Sequence, residues 1–219
     1  MRIFRYNSPL MTFLSRLADL IILNILWIVC CLPLITAGAA TTALYSCVLN
    51  MDEKDEQPVF RRYFTAFSTS FWKSTAIFAV WVVLIAFVLL NLWFYLYLLQ
   101  DIDGWFRIIP MIPAALLLMF SSYLFPLHAR FENSIPRLLK NAFSLTVVHL
   151  PTTAVITFVN CFPLLLLYFK TDIFLRLLAV WTLFGFALLA YLNAFLIKKV
   201  FRVHLPKTET EEEKNEKDI

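Results

Sequence analysis

Polar side chains inside long apolar runs are where this chain could do chemistry, because a charged or amide group held in lipid is costly and usually has a use. Asp19 stands at the edge of the first such run and Asn24 inside it. A carboxylate there could hold a cation or pass a proton, but Arg16 lies three residues earlier on the same helical face and can pair with it. Asn24, Pro33, Thr36, Gly38, Thr41 and Thr42 could line a polar strip for a solute. They could equally form a packing motif, with amide and hydroxyl groups bonding between helices and small residues allowing close approach, and packing is the better-supported reading. His149, two residues before Pro151, and Asn160 further along are the elements of a possible intramembrane polar site. An imidazole can relay protons or hold a polar ligand, though a lone histidine filling a bend is commoner. Asn91, Asn160 and Asn193 are single amides on three different runs and would interact only if a bundle brought them together.

Catalysis has no support in the pattern. The chain lacks H-E-x-x-H, G-x-S-x-G, a P-loop and G-x-G-x-x-G. Asp19 is the one carboxylate inside an expected membrane span, so no nucleophile has a base beside it. Cys30, Cys31, Cys47 and Cys161 all lie in apolar runs without metal or redox spacing, and read as small buried hydrophobes. The expectation is therefore no enzyme, no cofactor and no metal. A net charge of +4 is no argument for nucleic acid, since the distribution of basic residues along the chain accounts for it.

The elements that must carry these residues are membrane helices. Hydrophobic residues make up 61% of the 219 and charged residues 16%, whereas a soluble domain carries roughly 25% charge. Five stretches have no Asp, Glu, Lys or Arg: residues 20–51, 74–100, 108–129, 141–169 and 177–197. Each reaches the length of about 20 residues that a crossing needs. The polar-in, apolar-out alternation of a β-barrel is absent. The fold class is all-α and polytopic, with five to six spans in a single domain over residues 1–206. The highly charged segment 207–219 has the composition of a disordered, solvated tail. A cleaved leader is the rival reading of the N-terminus, but the apolar run continues well past the small residues at 37–39.

The first run is too long for one straight crossing. Pro33 removes a helical donor, Thr36 can cap a new start, and residues 37–43 are all small. A break over residues 33–36 would give a hairpin or re-entrant pair with two slightly short arms, the first from about residue 17. Further on, Phe60, Phe64, Phe67 and Phe71 fall on one helical face, with Arg61, Arg62 and Lys73 among them. This basic, aromatic stretch reads as a helix on the membrane surface, as a docking surface, or as an extension of the following span. Residues 128–140 read as a loop and 147–169 as the fourth long span, bent by Pro151 and Pro163.

Basic residues orient the chain. Segments 51–73 and 128–140 and the region from 198 onward hold 13 of the 19 Lys and Arg, and a hairpin adds Arg2, Arg5 and Arg16 to that side. Only Arg107, Lys170 and Arg176 then face the other way. The positive-inside rule places the C-terminus in the cytoplasm and, with a hairpin, the N-terminus as well.

The stretch from Asp19 to Trp27, then Cys31-Leu-Pro-Leu-Ile-Thr-Ala-Gly-Ala-Ala-Thr-Thr-Ala-Leu-Tyr45, resembles the signature of the YesL family, a bacterial integral membrane domain of unknown function (domain of unknown function 624). Residues 60–73 and 138–143 are similar to it too. The resemblance implies a multi-pass cell-membrane protein of a Gram-positive bacterium, associated with carbohydrate uptake. Its partners would be the lipid bilayer and subunits of an uptake system. A small-solute transporter or channel is the alternative.

Overall fold

The computed structural model describes residues 9–51, 57–98, 111–131 and 134–204, and every regular element among them is a helix. The acidic segment 52–56, the turn expected at 101–104 and the tail expected at 207–219 lie outside the described residues. Five helices are long and apolar enough to cross a membrane: Met11–Cys31, Val59–Tyr95, Met111–Arg130, Leu150–Phe169 and Leu178–Phe201.

Helix α1 (Pro9–Cys31) has 23 residues, a length of about 35 Å at the standard rise. It starts with proline, which a first helical turn tolerates, and it ends where Pro33 takes an extended conformation (φ −78°, ψ 111°). One 3₁₀ turn, Leu34–Thr36, leads into α2 (Ala37–Leu49), 13 residues and about 20 Å long. The break falls where the sequence places it, but the arms are unequal: α1 is a full crossing and α2 is the short one. Thr36 also works differently from expectation. Its hydroxyl makes no cap bond to an amide of α2. It turns back to the carbonyls of Cys30 and Pro33, because the bend at Pro33 strips the end of α1 of its helical donors.

The two arms lie against each other. Trp27 donates its indole N–H to Thr41 Oγ1 across the turn, at 3.2 Å. At the far end, Arg62 lies in electrostatic range of Asp19 on α1 and donates to the Asn50 carbonyl just past α2, at 3.1 Å. The first run is therefore a hairpin.

Helix α3 (Val59–Leu98) is one uninterrupted helix of 40 residues, about 60 Å long, and residues 60–73 are its first turns. Helix α4 (Met111–Arg130) returns, buried mainly in its second half from Phe120 to Leu127. Residues 128–140 are mostly helical rather than a loop: only 131–134 separate α4 from α5 (Ile135–Val148). The fourth span, expected at 147–169, is α6 (Leu150–Phe169), and the uncharged residues before it belong to α5. The chain breaks at His149 (φ −111°, ψ 40°), and α6 begins with Pro151 in its first turn. Proline there cannot supply the amide that would carry α5 onward. The last crossing consists of α7 (Thr171–Arg176), α8 (Leu178–Val180), a π-helical turn Trp181–Gly185 and α9 (Phe186–His204).

The core forms around α2. Ala39, Ala40 and Ala43 are fully buried, and α3, α4, α9 and α1 all pack on this short helix. A Cβ on Gly38 would stand 2.6 Å from the Ser74 carbonyl oxygen of α3 and 2.5 Å from Phe78 Cβ. Backbone that close tolerates only glycine, so the small residues at 37–43 let α3 approach α2 without a gap.

Candidate functional site

The sequence-selected residues of the first hairpin separate into two faces. Gly38 and Thr42, one turn apart, point toward α3, and Thr42 bonds back to the Gly38 carbonyl at 2.9 Å. Thr41 faces the other way and accepts from Trp27 while bonding to the Ala37 carbonyl. No continuous polar strip runs through Asn24, Thr36, Thr41 and Thr42. Asn24 is fully buried, and all its bonds go to the last crossing. Its amide donates to the carbonyls of Trp181 (3.2 Å) and Thr182 (2.7 Å), and its oxygen accepts from the Ala187 amide (2.9 Å). A π turn frees backbone groups from the helical ladder, and in lipid they need another partner. Asn24 is that partner. Asp19 is half-buried and carries Arg62 beside it, a neighbour 43 positions away that the local spacing with Arg16 does not reveal.

The aromatic, basic stretch of α3 divides along its length. Phe60, Arg61, Phe64 and Lys73 are exposed, while Arg62, Phe67 and Phe71 are half-buried. The inward face is set instead by Tyr63, Ser74 and Ile77, all essentially buried. The phenylalanines form a ladder at the margin, with ring centroids 4.8 Å apart for Phe60 and Phe64 and 5.6 Å for Phe67 and Phe71. Arg62 and Arg130 converge on Asn50, one on its carbonyl and one on its side-chain oxygen, so the ends of α2 and α4 and the start of α3 share one side of the bundle. A polar hollow of about 310 Å³ lies there, lined by Ser46, Asn50, Gln57, Arg62, Thr65 and Thr69 among others.

His149 and Asn160 do not form one site. They are 11 positions apart on the same helix, about 16 Å along its axis. His149 marks the α5–α6 joint, where Thr153 donates to its carbonyl at 2.8 Å and also reaches the Tyr123 hydroxyl at 3.3 Å. Asn160 instead meets α9: Asn193 donates its amide to Asn160 Oδ1 and approaches the Tyr45 hydroxyl at 3.5 Å. Of the three lone amides, Asn160 and Asn193 come together. Asn91 stays on the outer surface of α3, bonded to the Phe87 carbonyl.

Above this amide pair lies a cavity of about 380 Å³, which the sequence does not announce. Its wall combines Trp27 of α1, Thr41, Leu44 and Tyr45 of α2, Asn160, Pro163, Leu164 and Leu167 of α6, and Phe174, Trp181, Phe186, Leu189 and Ala190 of the last crossing. Trp27 and Phe186 are in contact, centroids 4.6 Å apart, and Trp181 lies 6.1 Å from Phe186. Gly185 makes room for the indole: a Cβ there would sit 2.2 Å from Trp181 Cε3. Asn24 is thus the anchor of the backbone whose ring lines the cavity, and a lone polar residue in the first apolar run was the signal for it. A further group unnoticed in the sequence lies at the α3–α4 contact. Ser74 Oγ, Thr75 Oγ1, Trp81 Nε1 and both ring nitrogens of His128 are buried without a hydrogen-bond partner.

These features define a polytopic helical membrane protein with a hairpin at its core. Within it, residues 20–92, about a third of the chain, match the family model described as "Protein of unknown function, DUF624". The match covers the second half of α1, α2 and most of α3, and supports the DUF624 family. No curated protein and no solved structure matches the chain.

Proposed function

We propose that the chain is a non-catalytic component of the cell membrane that assists carbohydrate uptake, with the Arg62–Arg130 side of the bundle, both termini included, facing the cytoplasm. The observation that supports the first part is the chemistry of the interior. The buried polar residues among those described are Asn24, Thr42, Ser74, Ser122, Thr146, Thr153 and Asn193, all neutral. Asn24, Ser122 and Asn193 bond between helices and Thr153 bonds at the α5–α6 joint, while Thr42 and Thr146 bond back to carbonyls one turn earlier in their own helices. A carrier coupled to protons or voltage keeps ionisable groups in its spans. The acidic group of the described spans is Asp19, which lies beside Arg62; His128 lies at the end of α4 and His149 at the α5–α6 joint, and the basic residues of the spans are Arg16, Arg61, Arg62, Lys73, Arg130, Lys198 and Lys199. Orientation follows from the excess of Lys and Arg on that side. The word carbohydrate comes from the YesL resemblance alone. Phe60, Arg61, Phe64 and Lys73 supply exposed apolar and charged anchors of the kind a partner subunit would use.

A small-solute transporter or channel is the second reading, favoured by the interruptions at Pro33 and at the π turn 181–185, since transporters bind solutes at broken helices. Liposomes holding the purified protein alone decide between them. The accessory reading expects no sugar uptake, and expects subunits of an uptake system to co-purify from native membranes. Saturable uptake abolished by Asp19→Asn or His149→Ala would establish the transporter.

A further inference from the structure

We propose that the cavity between α1, α2, α6 and the last crossing binds a neutral, membrane-soluble amphiphile. An apolar body would lie against Trp27, Trp181 and Phe186, and a single hydroxyl or carbonyl group would reach Tyr45 and Asn160.

Three observations carry this. First, the wall holds no Asp, Glu, Lys, Arg or His. A charged ligand would lose its hydration and gain no counter-charge, which is prohibitive in such a setting. Second, the polar end has unused capacity. Asn193 does not line the cavity but stands behind its polar end, fully buried and bonded to the two lining residues Asn160 and Tyr45. Asn160 spends only its oxygen, leaving its amide hydrogens free, and the Tyr45 hydroxyl accepts from Asn193 while its own proton is uncommitted. Asn160 is half-buried and Tyr45 buried, so both can offer these groups to a ligand in the cavity at little cost in lost hydration. Third, the cavity is walled on one side by Leu164 and Leu167, which are 67% and 43% exposed on a helix built to cross a membrane. A ligand dissolved in the bilayer can enter between them without passing through water. The volume lies in the range of about 300–1,000 Å³ typical of small-molecule sites.

The same facts exclude a free sugar from this place. A hexose brings hydroxyls on every face, and the polar groups of the wall are confined to Tyr45, Asn160, Thr41 and the indole N–H groups, the rest being apolar. Each hydroxyl buried without a bond costs about 1–3 kcal/mol. The proposal stands apart from the role in uptake, and neither depends on the other.

The test uses the full chain in lipid nanodiscs and a dibrominated long-chain alcohol as the probe, because bromine quenches indole fluorescence on contact and Trp27 and Trp181 line the cavity. The expected result is quenching that saturates at alcohol levels far below the lipid concentration. The matching dibrominated alkane, which lacks the hydroxyl, should bind about tenfold more weakly. Asn160→Leu and Tyr45→Phe should each weaken the alcohol by a similar factor, and Asn91→Leu should not. Tyr45→Phe removes one oxygen and keeps the ring packing, so it serves as the test even where Asn160→Leu disturbs folding. Quenching that rises linearly without saturation, or that is the same in wild type and Tyr45→Phe, would overturn the proposal. So would displacement of the probe by glucose, which would mark the cavity as a sugar site.

Discussion

Helix α3 and the α5–α6 pair begin alike and end differently. Each starts with a basic, partly polar stretch, Arg61 and Arg62 in one and Arg137 and Lys140 in the other, and each continues as a long apolar crossing. Helix α3 has no proline and runs unbroken for 40 residues. Its first part packs on α2, and further along Val83, Phe87, Leu90 and Trp93 are all more than half exposed. The α5–α6 pair carries Pro151 and breaks at His149. The joint lets α5 lie on α4, burying Leu138, Ala142 and Thr146, while α6 reaches α9 through Asn160. One proline separates a rod that presents a long surface to lipid or to a partner from a jointed arm that closes a cavity.

Moving the proline tests this most severely. Val80→Pro in α3 removes a backbone bond in a span where no water can replace it, and should cost about 3 kcal/mol or more. Loss of the monodisperse fraction in detergent would show it. Pro151→Ala, at a position that already tolerates the ring, should change stability by no more than about 1 kcal/mol. A Pro151→Ala loss as large as that of Val80→Pro would mean that the joint depends on the ring itself and does not merely tolerate it.

Gly38→Leu probes the packed half of α3. The new side chain meets the Ser74 carbonyl, and forced overpacking costs about 1–3 kcal/mol, read as a lower thermal midpoint and a lower folded yield. Leu89→Phe, on the exposed half at 56% exposure, should leave both unchanged. A Gly38→Leu protein as stable as wild type would remove the close-approach argument.

Asn24→Leu is a smaller perturbation. It leaves the carbonyls of Trp181 and Thr182 and the Ala187 amide without their partner. Interhelical bonds in lipid average about 0.6 kcal/mol each, so a loss of about 1–2 kcal/mol is expected. Because the π turn positions Trp181, indole emission should shift as well. A fall in stability with unchanged emission would separate Asn24 from the cavity wall.

How much of this was legible in the residues follows from what lipid does to pattern. Span number and helical class were readable, because length without charge is a direct signal. The break at Pro33 and the small residues beyond it were readable for the same local reason. The start of α1 at Pro9 was not, since Arg16 and Asp19 interrupt the uncharged run yet stay in the helix. A bend near His149 and Pro151 was readable, but that residues before it form a separate helix was not, because an all-apolar stretch has no amphipathic period to mark where one helix ends. The π turn carries no compositional mark beyond Gly185 four residues after Trp181. Asn24 and Asn160 stood out as polar residues, but their partners, more than 30 positions away in sequence, are tertiary facts.

The centre of the account is that the first apolar run turns back on itself and the rest of the bundle packs on its short arm. Single cysteines decide it, placed in a background lacking Cys30, Cys31, Cys47 and Cys161 and tested on intact cells with a membrane-impermeant thiol reagent. Ser8→Cys and Gln57→Cys should both be protected, and Lys170→Cys should react. Labelling of Ser8→Cys from outside while Gln57→Cys stays protected would mean that the run crosses once, and would contradict the hairpin.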